Sequence, residues 1–278
     1  MKRLLQIEFQ KLWLNKLSRF LILAYFFLLT SIALIAAIKF DIGPIKFHLA
    51  EQGIFNFPYI WHFNTFMASW FKLFLAIIII SMVANEFSNR TLKQNLIDGL
   101  SKKEFVYSKF LMVLVFSAIS TLFVFIISII LGLLYSNYTE FGIIFSDLEF
   151  ILAYFIKHIG FFSFCLFIGM LIKRSAFALG FLVIWNFIEW IIYGLLFWNT
   201  GKESTMPDTI LSFFPLRSMS NLINEPISRL SAVKAVANQV GENLSYDYAV
   251  HWYEIAIVLA WTFLFIYGSY KLLLKRDL

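Results

Sequence analysis

Residues 110–139 read FLMVLVFSAISTLFVFIISIILGLLYSNYT, a run of thirty residues without a charged side chain. A helix that crosses a membrane needs about 20 mostly apolar residues, because ~30 Å of hydrocarbon is crossed at ~1.5 Å per residue. The run exceeds that length. It therefore predicts a spanning helix that tilts or whose ends leave the hydrocarbon.

The whole chain has the composition of a membrane protein. Of its 278 residues, 60% are hydrophobic and 14% charged, and 34 are Phe; soluble domains are about 45–50% apolar and about 25% charged. This excludes a soluble enzyme, a disordered chain and a nucleic-acid-binding domain. The net charge of +6 does not indicate nucleic acid, because the charges lie at the ends of apolar runs. The single cysteine, Cys165, excludes an intramolecular disulfide and a cysteine metal cluster.

The remaining apolar runs predict an all-α integral membrane protein with six transmembrane helices. The second span is the least regular, because Leu73 to Asn85 is too short and must extend back through Lys72 to about Thr65. The first run is not a cleaved signal peptide, since it is of spanning length and lacks a small-residue cleavage site. The predicted spans are about 18–38, 65–85, 109–135, 149–172, 175–198 and 251–272.

Basic residues set the expected orientation. Fifteen Lys and Arg residues lie on the side of the two chain ends and six on the other side, and loops rich in Lys and Arg stay in the cytoplasm. We therefore expect a multi-pass membrane protein with both termini cytoplasmic. Residues 86–105 are then cytoplasmic, and 199–250 form an extracytoplasmic segment.

Residues 1–17 combine basic side chains with Leu5, Phe9, Leu12 and Trp13. This mixture is typical of a helix that lies in the membrane interface. A frayed, charged segment leading into the first span is the alternative.

The segment between the second and third spans carries signals of two helices. Gly99 suits the left-handed residue that ends a helix. Ser101 and Glu104 form a capping box that begins the next one. The pattern predicts a short helix over about 89–98 on the cytoplasmic face. A simple inter-span turn would need fewer residues, so the extra length indicates a docking surface.

This segment resembles the coupling region of type-two ABC transporter permeases, in which an interfacial helix precedes six spans. Its form from Arg90 to Gly99 looks like the variant common in Bacteroidota permeases. It departs from the family at Arg90, where Gly is often found, and at Gly99-Leu100, where Pro is frequent. The matching positions are Glu86, Thr91, the helix to Asp98, Ser101-Lys102, Phe105 and Lys109.

The resemblance implies an exporter built from two permease subunits, identical or homologous, each carried on a separate ATP-binding subunit. The short helix is expected to be the coupling helix that docks on that ATPase. The chain has no phosphate loop, so we expect it to be no enzyme, to need no cofactor or metal, and to rely on a partner for ATP hydrolysis. The expected partner-binding residues are Glu86, Arg90, Thr91, Leu92, Lys93, Leu96, Ile97, Asp98 and Lys102.

Three charged residues lie inside predicted spans: Lys72, Lys157 and Glu189. A charge near the bilayer centre is costly unless it is paired or hydrated, and the lowest estimates of the free-energy cost are about 2.5–3.5 kcal/mol. Lys157 and Glu189 lie about 12 and 14 Å from the outer surface on adjacent antiparallel spans. We therefore predict that they form an ion pair, with Lys72 as a competing partner. The pair either fixes helix packing or forms a polar patch on a transport path.

Three other functions are open at this point. An intramembrane enzyme needs paired catalytic groups or metal ligands, and the spans show none. A secondary transporter uses ionisable groups near the midplane and related halves, and no internal repeat is visible. A non-transporting membrane anchor is the third. Co-purification with an ATPase would discriminate these from a permease, and the cargo is undetermined.

Overall fold

The computed structural model describes residues 2–36, 39–42, 45–48, 53–201, 204–240 and 247–276. Its helices are α1 Lys2–Leu14, α2 Lys16–Ala36, α3 Tyr59–Ser69, α4 Lys72–Ser88, α5 Thr91–Ile97, α6 Lys102–Tyr135, α7 Phe141–Ile144, α8 Glu149–Ile172, α9 Ser175–Thr200, α10 Met206–Leu211, α11 Pro215–Asn221, α12 Ser231–Val240 and α13 Trp252–Leu274, with a 3-10 turn at Ile227–Arg229. An antiparallel hairpin of β1 Lys39–Ile42 and β2 Ile45–His48 follows α2.

The predicted class, an α-helical integral membrane protein, is confirmed. Among the described residues, five helices are long and apolar enough to cross a membrane, namely α2, α6, α8, α9 and α13. The bent pair α3–α4 supplies a sixth span if it is counted as one. The end of the bundle that holds α1, α5 and the last turn of α13 is called the inner end below, and the opposite end the outer end.

The second span differs from the straight helix expected over 65–85. Helix α4 begins at Lys72, and α3 precedes it at an angle of 46° across Trp70-Phe71. At the outer end, α3 is held by two hydrogen bonds to backbone carbonyls of other segments. The Trp61 Nε1–H donates to the Ile144 carbonyl at 2.8 Å, and the Tyr59 hydroxyl donates to the Pro226 carbonyl at 2.7 Å.

Helix α8 lies at the centre of the bundle. It packs against α3, α4, α6, α9 and α13, and it is apolar around its whole circumference, as expected of a helix surrounded by others. Gly169 permits the contact with α4, because a Cβ there would lie 3.3 Å from the Ile80 carbonyl oxygen. Side chains on α8 therefore face neighbouring helices, and a charged residue on it is removed from bulk water.

Residues 206–223, part of the 199–250 segment that we expect to be extracytoplasmic, pack against the helices of the bundle. Helices α10 and α11 fold back against α9, and α11 also packs against α8 and α13. The Trp261 indole N–H donates to the Phe213 carbonyl at 2.8 Å, about 14 Å along α13 from its first residue. Met219 packs against Gly160 near the middle of α8. The segment re-enters the bundle because burying Leu216, Met219 and Leu222 stabilises it there.

Candidate functional site

Helix α5 is short and tightly ended. It begins at Thr91, two residues later than predicted, after Arg90 in a left-handed conformation with φ 57°. Gly99 has φ 97°. Its N–H donates to the Leu96 carbonyl at 3.2 Å, while the Leu100 N–H donates to the Asn95 carbonyl at 3.0 Å. This pair of bonds is the Schellman motif that glycine favours, so the prediction for Gly99 is confirmed.

The start of α6 is fixed by the predicted capping box, which is also confirmed. The Ser101 N–H donates to a Glu104 carboxylate oxygen at 2.9 Å, and the Glu104 N–H donates to the Ser101 hydroxyl at 3.1 Å. Because α6 begins so soon after Gly99, α5 has a defined position relative to the third span.

Four charged side chains meet at the inner end in the inner ionic cluster of Glu8, Lys11, Glu86 and Lys109, of which Lys11 is exposed and the other three are buried. The Lys109 ammonium is fully buried, donates to a Glu8 oxygen at 2.5 Å, and forms an ion pair with Glu86. Lys11 lies 3.2 Å from the same Glu86 oxygen. The two acids and two bases neutralise each other, which buried charges require.

The inner ionic cluster joins three helices, and a hydrogen bond links α5 to it. Glu8 and Lys11 belong to α1, Glu86 to α4 and Lys109 to α6. The Asn95 amide on α5 donates to the second Glu86 oxygen at 3.0 Å, and buried Leu92 anchors the same helix. Helix α5 is therefore linked to α4 by a hydrogen bond and, through the ion pairs of Glu86, to α1 and α6.

Sequence reasoning did not find this cluster as a unit. Glu8 and Lys11 lie in the segment that the sequence predicts to be interfacial. Lys109 entered the sequence analysis only as one of the basic residues that set the orientation and as a position that matches the permease family. Helical periodicity relates residues three or four apart. It carries no information on residues 8, 86 and 109, so only the family resemblance at Glu86 and Lys109 pointed toward them.

Three of the predicted partner-binding residues have contacts within the chain. Glu86 and Leu92 are 6% and 1% exposed and face the interior of the chain. Lys102 donates to the carbonyls of Leu274 at 3.4 Å and Arg276 at 2.9 Å. Lysine at a helix C-terminus stabilises the partial negative charge there, so Lys102 binds the end of α13.

The other predicted contacts form a surface on α5, the α5 face. Leu96 is partly buried and packs against the hydrophobic core beneath the α5 face. A groove of about 360 Å³ lies between α1, α4 and α5, with Lys11, Asn85 and Gln94 in its lining. The exposed side chains are Arg90, Thr91, Lys93, Ile97 and Asp98, of which Ile97 is 69% exposed.

The predicted ion pair between Lys157 and Glu189 is wrong. The two Glu189 oxygens accept hydrogen bonds from the backbone N–H groups of Leu216 and Arg217 at 3.0 and 2.8 Å. The Trp185 indole N–H also donates to Glu189, at 2.8 Å. These amides belong to the first turn of α11, where N–H groups lack a partner within the helix. The sequence argument compared only the depths of the two residues, and the re-entry of α11 was not visible from the sequence.

Lys157 and Lys72 have a different environment. Lys157 is 4% exposed, and its ammonium lies 3.5 Å from the Ser220 carbonyl. The Lys72 ammonium lies 4.4 Å from the centre of the Phe161 ring. Within the part of the chain that the structure describes, neither lysine forms an ion pair with a carboxylate.

Both lysines line one cavity of about 600 Å³, which we call the lysine cavity. It lies between the α3–α4 bend, α8, α9 and α11. Polar atoms come from Ser69, Asn186 and Ser220, and most of the remaining wall is aromatic or aliphatic.

The family described as ABC-2 family transporter protein matches residues 8–278. The match includes the inner ionic cluster, the α5 face and the lysine cavity. A comparison with curated proteins finds no match to this chain.

Proposed function

Since this chain belongs to the ABC-2 transporter family and is a membrane permease component of an ABC transporter, we propose that it serves an exporter. ATP is hydrolysed on a separate nucleotide-binding subunit. A second permease subunit, identical or homologous, completes the pathway through the lipid bilayer.

One observation carries the proposal: α5 is attached to the spans on one side and exposed on the other. The inner ionic cluster and Leu92 join it to α1, α4 and α6. The α5 face presents Ile97 together with charged side chains of both signs. An apolar centre with a polar rim is the composition of a protein interface. A partner that moves α5 would move three helices with it.

The proposed orientation places the inner end in the cytoplasm of a bacterial cell. It rests on the excess of Lys and Arg at that end. Cysteines at Ser88 and Ser204, in a Cys165→Ala background, should react with an impermeant thiol reagent from opposite sides of the membrane. Labelling of both from one side would contradict the orientation.

The docking proposal is tested at Ile97, the exposed apolar residue of the α5 face. In Ile97→Asp, the tagged full-length chain should insert into the membrane but no longer co-purify with an ATP-hydrolysing subunit that bears a phosphate loop. Ile227→Asp is the matched control, because it makes the same change at a 47% exposed isoleucine of the outer end. Equal recovery of ATPase activity with both variants would refute docking at α5.

A further inference from the structure

We propose that the lysine cavity binds an anionic amphiphile, a molecule with a phosphate or carboxylate head and an apolar tail. Lys157 and Lys72 hold the head, and the aromatic wall holds the tail. The inference rests on the proposed function in one respect, since it names the substrate class for which the exporter is built.

The first argument is electrostatic. Two ammonium groups line one cavity, and the described residues supply no carboxylate partner to either. Glu189 is on the adjacent helix, but its two oxygens already accept three N–H donors. Arg217 pairs instead with Asp208, at 3.1 Å. Unpaired cations at membrane depth are costly, and an anionic ligand would remove that cost.

Snorkelling does not offer Lys157 another solution. A lysine near the end of a spanning helix extends its ammonium to the aqueous interface and leaves only its methylene stem in the apolar region. Lys157 is 4% exposed and lies about 12 Å from the first residue of α8. Its contact with the Ser220 carbonyl directs the ammonium toward α11 and the cavity. The amine of Lys157 therefore remains inside the protein.

The second argument is the shape and lining of the cavity. Its volume of about 600 Å³ falls among pockets for small organic molecules, about 300–1,000 Å³. Trp70, Phe187 and Trp190 form its rim and are 70%, 63% and 64% exposed. This apolar rim would contribute nothing to binding a free inorganic anion. Positive charge in the interior with aromatic side chains at the rim fits an acidic head and an apolar tail.

The test measures binding to the full-length chain in phosphatidylcholine nanodiscs, with radiolabelled octyl phosphate as the probe. We expect saturable binding that unlabelled octyl phosphate displaces. Inorganic phosphate and octyltrimethylammonium should displace the probe weakly. Equal competition by inorganic phosphate would overturn the amphiphile assignment, and non-saturable uptake would overturn the site.

Variants locate the binding. Lys157→Gln should weaken binding by about tenfold or more, the loss expected for one charge-assisted contact. Lys72→Gln, at the more accessible lysine, should also weaken it and serves as the second test if Lys157→Gln does not fold. Lys271→Gln is the matched control, because it removes one cation from a spanning helix outside the cavity and should leave binding unchanged. Unchanged binding in the folded cavity variants would refute the proposal.

No ATP-binding subunit takes part in this assay. A negative result in the binding assay would therefore not bear on the docking proposal. Failure of docking at α5 would likewise leave the binding result standing.

Discussion

Lys109 and Lys157 are two buried lysines of one helical bundle with opposite surroundings. Lys109 contacts the carboxylates of Glu8 and Glu86 within the inner ionic cluster. Lys157 contacts a backbone carbonyl and faces the lysine cavity. A buried lysine whose charge is neutralised by its own chain stabilises the fold. One that is left without a counter-charge indicates a binding site. The predictions below test this distinction.

The largest effect is expected at Lys109. Lys109→Met leaves two carboxylates close together without their main counter-charge, so it should destabilise the protein by about 3–5 kcal/mol. Thermal unfolding of the purified chain in detergent measures the loss. Lys103→Met is the control, because Lys103 is exposed in the first turn of the same helix. If the two variants unfold at the same temperature, the inner ionic cluster does not hold the helices together.

Lys157→Met should have the opposite effect on stability. It removes a buried charge that lacks a counter-ion and keeps an apolar side chain of similar length, so it should raise stability by up to about 3 kcal/mol. The same thermal measurement should show that octyl phosphate stabilises the parent protein but not this variant. A loss of stability as large as that of Lys109→Met would show that Lys157 is a structural residue too.

Glu189 is intermediate between Lys109 and Lys157, because its carboxylate has no ion-pair partner among the described residues but accepts hydrogen bonds from backbone N–H groups. Glu189→Ala leaves the N–H groups of Leu216 and Arg217 without an acceptor, which should cost about 1–3 kcal/mol. Glu189→Gln keeps one acceptor oxygen and should lose less. Glu140→Ala, at an exposed acid that caps no helix with its side chain, should be neutral. Equal stability of the Ala variants would mean that Glu189 does not hold α11 in the bundle.

The smallest effect is expected at Arg90. A non-glycine residue in the left-handed region costs about 1–2 kcal/mol, and Arg90 has φ 57°. Arg90→Gly should therefore stabilise α5 by about 1 kcal/mol. Lys93→Gly, within the same helix, should destabilise it by about the same amount. Hydrogen exchange of the α5 amides distinguishes the two, and slower exchange in Lys93→Gly than in Arg90→Gly would contradict the account.

Local sequence signals predicted local structure well. Helix α8 occupies the predicted residues 149–172, and Gly99 and Ser101 mark the turn after α5 as expected. These features depend on residues within a few positions of each other, where periodicity and capping rules apply.

Features that depend on contacts between residues far apart in the chain could not be predicted from the sequence. The ion pair between Lys157 and Glu189 was predicted only from their similar depths in the membrane. Which side chains meet also depends on the rotation of each helix about its axis. The apolar residues of 206–223 are interrupted by polar ones, so no hydropathy window marked their re-entry. The sequence singled out Glu86, but its place in the inner ionic cluster depends on Lys11 and Lys109, which lie far from it along the chain.

Crosslinking at position 97 tests the central claim most directly. A photoreactive benzoylphenylalanine is placed at Ile97 of the full-length chain in its native membrane, with position 227 as the comparison. The account predicts that position 97 alone captures a protein with a phosphate loop and ATPase activity, and that Ile97→Asp chains lack this activity on purification. Capture of the ATPase from position 227, or from neither position while the ATPase still co-purifies, would contradict docking at α5.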